Sequence, residues 1–129
     1  MIINKSDKAI YVNYEIMQSS GVFPIFTDHP SVYPVNSSGG IEWGKDMAFA
    51  DEDAMPNKIS VALPPRSVLV FGSLHNDTYK KYDQQFINGR TFNLKQLQIL
   101  SNSKILNIIP SSFDDHFKKH QGQIRLVVK

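Results

Sequence analysis

Near its C-terminal end the chain reads SSFDDHFKKHQG, residues 111 to 122. Asp114, Asp115, His116, Lys118, Lys119 and His120 crowd together there, and the two histidines stand four positions apart. On a helix, residues four apart share a face, and two histidines so placed are spaced as ligands of one metal ion. A metal centre needs a third or fourth ligand, and without a Glu between the histidines the metalloprotease pattern fails. His29 and His75 are remote in sequence and would have to be brought in by folding. Almost every other residue of the stretch serves a helix over 112–120. Phe113 and Phe117 make an apolar stripe, and Asp114 and Asp115 precede Lys118 and Lys119 by four residues, the favourable order. Ser111 or Ser112 can cap the start, acids lead and bases trail along the helix dipole, and Gly122 marks the stop.

A second acidic group, DMAFADED, holds Asp46, Asp51, Glu52 and Asp53. Oxygen ligands at such spacing are what calcium takes, and Asp51, Glu52 and Asp53 are the residues that would supply them. Calcium needs roughly six to eight converging oxygens, and the stretch lacks both the EF-hand spacing and its turn glycine. A solvated acidic loop is the expected state. No Gly-x-Ser-x-Gly elbow is present, and SSGG lacks the Lys-Ser/Thr and helix of a phosphate loop. Paired carboxylates for glycoside cleavage can be chosen only arbitrarily among Glu15, Glu42 and Asp46. The sequence therefore leans away from an enzyme and implies no cofactor.

The aromatic residues point elsewhere. One Trp, five Tyr and eight Phe are present, and Tyr11, Trp43, Tyr79 and Tyr82 are not claimed by any core periodicity. Aromatic rings beside polar side chains suit sugar faces or protein hot spots. HNDTYKKYDQQ, residues 75 to 85, is the most polar tyrosine-bearing segment and the expected functional loop. With Asn76, these four aromatics are the candidate ligand-binding residues.

Composition sets the frame for these sites. At 129 residues, with 41% hydrophobic and 20% charged residues, the chain suits one domain with its own core. A net charge of +2 with scattered Lys and Arg gives no basic stripe, so nucleic acid is not an expected partner. The absence of cysteine removes disulfides, thiolate metal sites and cysteine nucleophiles. No apolar run approaches the ~20 residues of a membrane helix. The first residues lack signal-peptide features, which leaves both the cytoplasm and a mature exported domain open.

The elements that must position the candidates are mostly strands. AIYVNYEIM alternates, with Ile10, Val12, Tyr14 and Ile16 on one face and Tyr11, Asn13 and Glu15 on the other. Residues 19–40 carry Pro24, Pro30, Pro34 and three glycines, so a long loop with a short extended piece at 32–35 is expected. Ile41 and Trp43 could form a strand, with another short piece at Met47. KISVAL and SVLVFGSL read as two strands around a Pro64-Pro65 corner. Asn88-Gly89 signals a two-residue hairpin. QLQIL and ILNIIP read as a further hairpin, although TFNLKQLQIL also fits a short helix. QIRLVVK closes the chain as a strand. Residues 59–71, ISVALPPRSVLVF, resemble the closing strands of β-sandwich domains appended to amylase-type glycoside hydrolases, where a Leu-Pro-Pro-x-Ser corner leads into an apolar strand.

Seven to nine short strands and one helix near 112–120 before a final strand make a single all-β sandwich over 1–129, of jelly-roll or immunoglobulin-like character. The function expected is non-catalytic binding, of a carbohydrate or a protein. A small intracellular inhibitor or immunity-type protein and a small metal-dependent hydrolase using His116 and His120 are the alternatives.

Overall fold

The alternation over residues 10–16 folds as a strand with one buried and one open face: Ile10, Val12, Tyr14 and Ile16 are buried and Tyr11 is exposed. The structure is a computed structural model and describes residues 1–17, 24–47, 57–72, 86–87 and 90–129, excluding the side chains of 86, 87, 90 and 91. Its strands are β1 (Ile2–Asn4), β2 (Ile10–Ile16), β3 (Phe26–Pro34), β4 (Lys58–Leu63), β5 (Ser67–Gly72) and β6 (Phe86–Ile87). They continue as β7 (Arg90–Thr91), β8 (Leu94–Ser101), β9 (Lys104–Ile108), β10 (Lys118–His120) and β11 (Gln123–Val128). A five-stranded sheet has the order β10-β11-β1-β5-β3, and a four-stranded sheet the order β4-β2-β8-β9. The inner faces meet in one core, to which Ile2, Val32, Leu69 and Phe71 contribute from the first sheet and Val12, Val61, Leu97 and Ile99 from the second. The fold is thus all-β and sandwich-like.

Several local expectations are met. β4 alternates strictly, with Ile59, Val61 and Leu63 buried. The proline corner carries the chain from the four-stranded sheet to the five-stranded one. Arg66 takes a positive φ there, and the Ser67 hydroxyl donates to the Pro64 carbonyl at 2.6 Å. The fully buried Asn4 amide locks this corner by donating to the carbonyls of Lys8, Leu63 and Pro64, while its Oδ1 accepts from the Ser6 amide. Phe86 pairs with Thr91 and Ile87 with Arg90, the register of a two-residue hairpin connection. Residues 94–101 are a strand rather than a helix, paired on both sides by β2 and β9. Asn102 and Ser103 close the β8–β9 hairpin, both at positive φ, as a type I′ turn requires.

Two segments depart from expectation. Residues 26–34 form a strand where a mostly irregular loop was expected. Prolines are tolerated because β3 is the edge of its sheet and its register slips between Phe26↔Gly72 and Ser31↔Val70. The buried Asn93 side chain holds the start of that strand: its Oδ1 accepts from the Phe26 amide at 2.8 Å and its Nδ2 donates to the Phe26 carbonyl at 3.0 Å. After β3 the chain folds back, with bridges Val35↔Ile41 and Val32↔Met47, and this flap brings Gly40, Ile41 and Trp43 beside Ile3 and Arg125 on the outer side of the five-stranded sheet.

The C-terminal helix is present but earlier and shorter than 112–120. A 3-10 turn at Pro110–Ser112 leads into α1 (Phe113–His116), and Phe117 is already extended. Residues 118–120 instead pair with β11, so their backbone groups serve the sheet edge. Gln121 and Gly122, both at positive φ, turn that hairpin rather than stopping a helix. The phenylalanine stripe survives the change, because Phe113 and Phe117 are buried and stacked at 4.2 Å and 7°. Lys118 reaches back to the Asp114 backbone oxygen at 2.9 Å, and the Ser112 hydroxyl accepts from the Ile109 amide. β11 runs parallel to β1, with Ile2 opposite Leu126. Beside it the Met1 α-amino group donates to the Ile124 carbonyl at 2.8 Å, and burial pushes its pKa from 8.0 down to about 5.

Candidate functional site

Period-two alternation gives the four-stranded sheet an outer face, and the strand register arranges that face in rows. Ala62, Tyr11, Leu100 and Ile105 lie side by side across the four strands and make an apolar row. The next row is Ser60, Asn13, Gln98 and Asn107, all short hydroxyl or amide side chains. The third is Lys58, Glu15 and Gln96. A groove of about 360 Å³ runs over the second and third rows, and a shallower hollow between Ala9, Tyr11, Leu100 and Ile105 covers the first. Tyr11 and Ile105 are 56% and 60% exposed, so the apolar end is open to a ligand.

The polar rows are held in place by their own contacts. Gln98 Nε2 donates to Asn107 Oδ1 at 3.2 Å, which leaves further donors and acceptors of both amides facing outward. Glu15 is the one carboxylate among the described residues lining the groove, and each of its oxygens has a partner. Lys95 approaches one oxygen at 3.4 Å and Gln96 Nε2 donates to the other at 3.0 Å. Lys95 reaches Glu15 because it is the extra residue of a bulge: Glu15 pairs with Gln96 and Ile16 with Leu94. A single compensated carboxylate does not make the acid and base pair that glycoside cleavage needs. The face can hydrogen-bond hydroxyls along its middle and stack a ring at Tyr11.

The residues singled out in the sequence fall in different places. Tyr11 stands on this outer face. Trp43 lies on the opposite side of the sandwich, on the flap, packed edge-on against Tyr33 with ring centroids 5.1 Å apart and 52% exposed. The two aromatics therefore cannot share one ligand-binding site. Tyr79, Tyr82, Asn76, Asp51, Glu52 and Asp53 lie outside the described residues, as does His75. His116 ends α1 and His120 ends β10. Four residues of extended chain span about 13 Å, against about 6 Å on a helix, so the pair no longer shares a helical face. His29 is on the far edge strand, beside Asp28 at 3.4 Å. Among the described residues no three His, Asp or Glu side chains gather to hold a metal ion.

Asn13, Gln98, Asn107 and Ser60 were not singled out from the sequence. The alternation already placed Asn13 beside Tyr11, but the row exists only once the partners of β2 and their registers are known. Among the described residues no helix is long and apolar enough to cross a membrane. Comparison of the chain with protein-family models, with curated proteins and with solved structures finds no match, so the role of this face rests on its own chemistry.

Proposed function

We propose that this domain is a non-catalytic binding module that takes a carbohydrate on the outer face of its four-stranded sheet. The observation that carries the reading is the row of Ser60, Asn13, Gln98 and Asn107 beside the exposed ring of Tyr11. Amides and hydroxyls fixed on strands match sugar hydroxyls without a charge, and a tyrosine face stacks on a sugar ring. The test is a glycan array on the intact chain, followed by calorimetric titration of the best ligand. Tyr11→Ala is expected to weaken binding roughly tenfold, the equivalent of about 1.4 kcal/mol. Its folding should be unaffected, because the ring is more than half exposed. An array without a ligand, together with hydrolase activity on some substrate, would overturn the reading.

A protein partner is the second reading, and the exposed Ile105 and Ile109 favour it. Both lie at the β9 edge of the same face, where an inhibitor or immunity-type protein would offer apolar side chains to its target. Ile105→Lys separates the two. It should abolish capture of a protein partner and leave sugar binding over the amide row intact.

A further inference from the structure

The opposite face carries a site of different character. Trp43, Gly40, Lys5, Gln121, Gln123 and Arg125 surround a cavity of about 180 Å³ on the outer side of the five-stranded sheet. The chain brings them together from three places. β11 presents Gln123 and Arg125 outward, because Ile124 and Leu126 between and beyond them point into the core. Lys5 follows β1, its amide bonded to the Val128 carbonyl. The flap sets Trp43 at the rim, with Tyr33 against one side of the indole and the rest of the ring open.

Charge decides what this cavity would hold. Among the described residues, neither Arg125 nor Lys5 has a side-chain hydrogen-bond or ion-pair partner, and no carboxylate lines the cavity. Glu42, the nearest acid along the flap, is held by Lys45 at 3.1 Å. The flap amides do not compete for an anion either: Gly40 N–H donates to Asn36 Oδ1 at 2.8 Å and Gly39 N–H to the Asn36 carbonyl at 2.9 Å. What remains is a planar guanidinium, a flexible ammonium, two glutamine amides and an indole face. A guanidinium takes a carboxylate or sulfate through paired hydrogen bonds, an indole takes the apolar face of a ring, and amides take hydroxyls. The volume is below the ~300–1,000 Å³ of drug-sized sites, so it fits one ring with its anionic substituent.

We propose that the Trp43–Arg125 cavity binds one acidic sugar residue, its carboxylate or sulfate on Arg125 and Lys5 and its ring on Trp43. The site is separate from the amide row, and its test does not depend on that one. Trp43 is the single tryptophan of the chain, so intrinsic tryptophan emission reports on this cavity directly. The intact protein is titrated with a galacturonate tetramer, a sulfated heparin-type tetramer, a neutral galactose tetramer and inorganic phosphate. A saturable emission change with an acidic oligomer and none with the neutral one is expected, weakening as salt is raised. The carboxylate and sulfate arms identify the anion. Arg125→Gln should weaken binding roughly tenfold or more, the loss of a hydrogen-bonded charge, whereas Tyr11→Ala should leave it unchanged. Should Arg125→Gln fail to fold by circular dichroism, Lys5→Gln takes its place, with a smaller loss expected. No saturable change with either acidic oligomer, equal binding of the neutral one, or full binding by the charge variant overturns the proposal. An equal response to inorganic phosphate overturns the assignment to a sugar.

Discussion

Removing the Asn93 side chain tests how the fold holds its edge strand. Asn93 is 1% exposed and satisfies both backbone groups of Phe26, a residue 67 positions away. Asn93→Ala leaves a buried N–H and a buried C=O without partners, each at about 1–3 kcal/mol. A loss of about 3–5 kcal/mol is expected, a large part of the ~5–15 kcal/mol that holds a domain of this kind. Urea unfolding at 25 °C, followed by circular dichroism, measures it, and amide exchange of Phe26 localises it. Asn93→Asp sharpens the test. Its carboxylate can accept from the Phe26 amide but faces the Phe26 carbonyl with a lone pair, whereas the protonated acid can donate there. Its folded pKa should therefore lie above the unfolded ~3.9. Measured against Asn93→Ala at each pH, Asn93→Asp should be more stable near pH 4, and the advantage should vanish as pH rises through the folded pKa. A loss below about 1 kcal/mol for Asn93→Ala, with Phe26 exchange unchanged, would refute the clamp.

Ser103 sits at a φ of 62° in the β8–β9 turn; Ser103→Gly removes a left-handed side chain and should raise stability by about 0.5–1 kcal/mol in urea unfolding. Gly72→Ala should lower it by about 1–3 kcal/mol, because a Cβ there would sit 2.8 Å from the buried Phe26 ring. Between pH 8 and pH 5 the unfolded Met1 amine takes up a proton that the buried one, with a pKa of about 5, does not. Stability should therefore fall as pH drops from 8 to 5 and level off below, by at most roughly 4 kcal/mol. Unfolding free energies that rise over that descent would show that the amine is not buried.

The strands with one buried face were legible because alternation is a local property. β2, β4 and β11 announce themselves through Ile10-Val12-Tyr14, Ile59-Val61-Leu63 and Ile124-Leu126. The proline corner and the pairing of residues 86–87 with 90–91 were readable for the same reason. β3 was not, because what fixes it is Asn93, far along the chain and ordinary in its own neighbourhood. The segment 112–120 shows a local pattern overruled from outside: its caps and charges favour a longer helix, but pairing with β11 draws residues 118–120 into the sheet. Of the candidate sites, Tyr11 could be picked out by its place opposite the buried face. The amide row could not, since Asn13, Gln98 and Asn107 come together only through register. Tyr11 and Trp43 looked like members of one set, and only the layering of the sheets separates them.

The parallel pairing of β1 with β11 bears on the order in which the protein is made. β1 is the middle strand of the five-stranded sheet, flanked by β5 and β11. It is synthesised long before the second of its neighbours, since Ile2 pairs with Leu126. Until residues 123–128 emerge, Ile2 to Asn4 have an open edge and Phe113 and Phe117 lack the wall that Ile124 and Leu126 complete. Folding of this sheet therefore waits on a long-range closure between Ile2–Asn4 and Leu126–Val128, slow by the nature of such pairing. During synthesis, the exposed edge of β1 is where a nascent chain would seek a wrong partner.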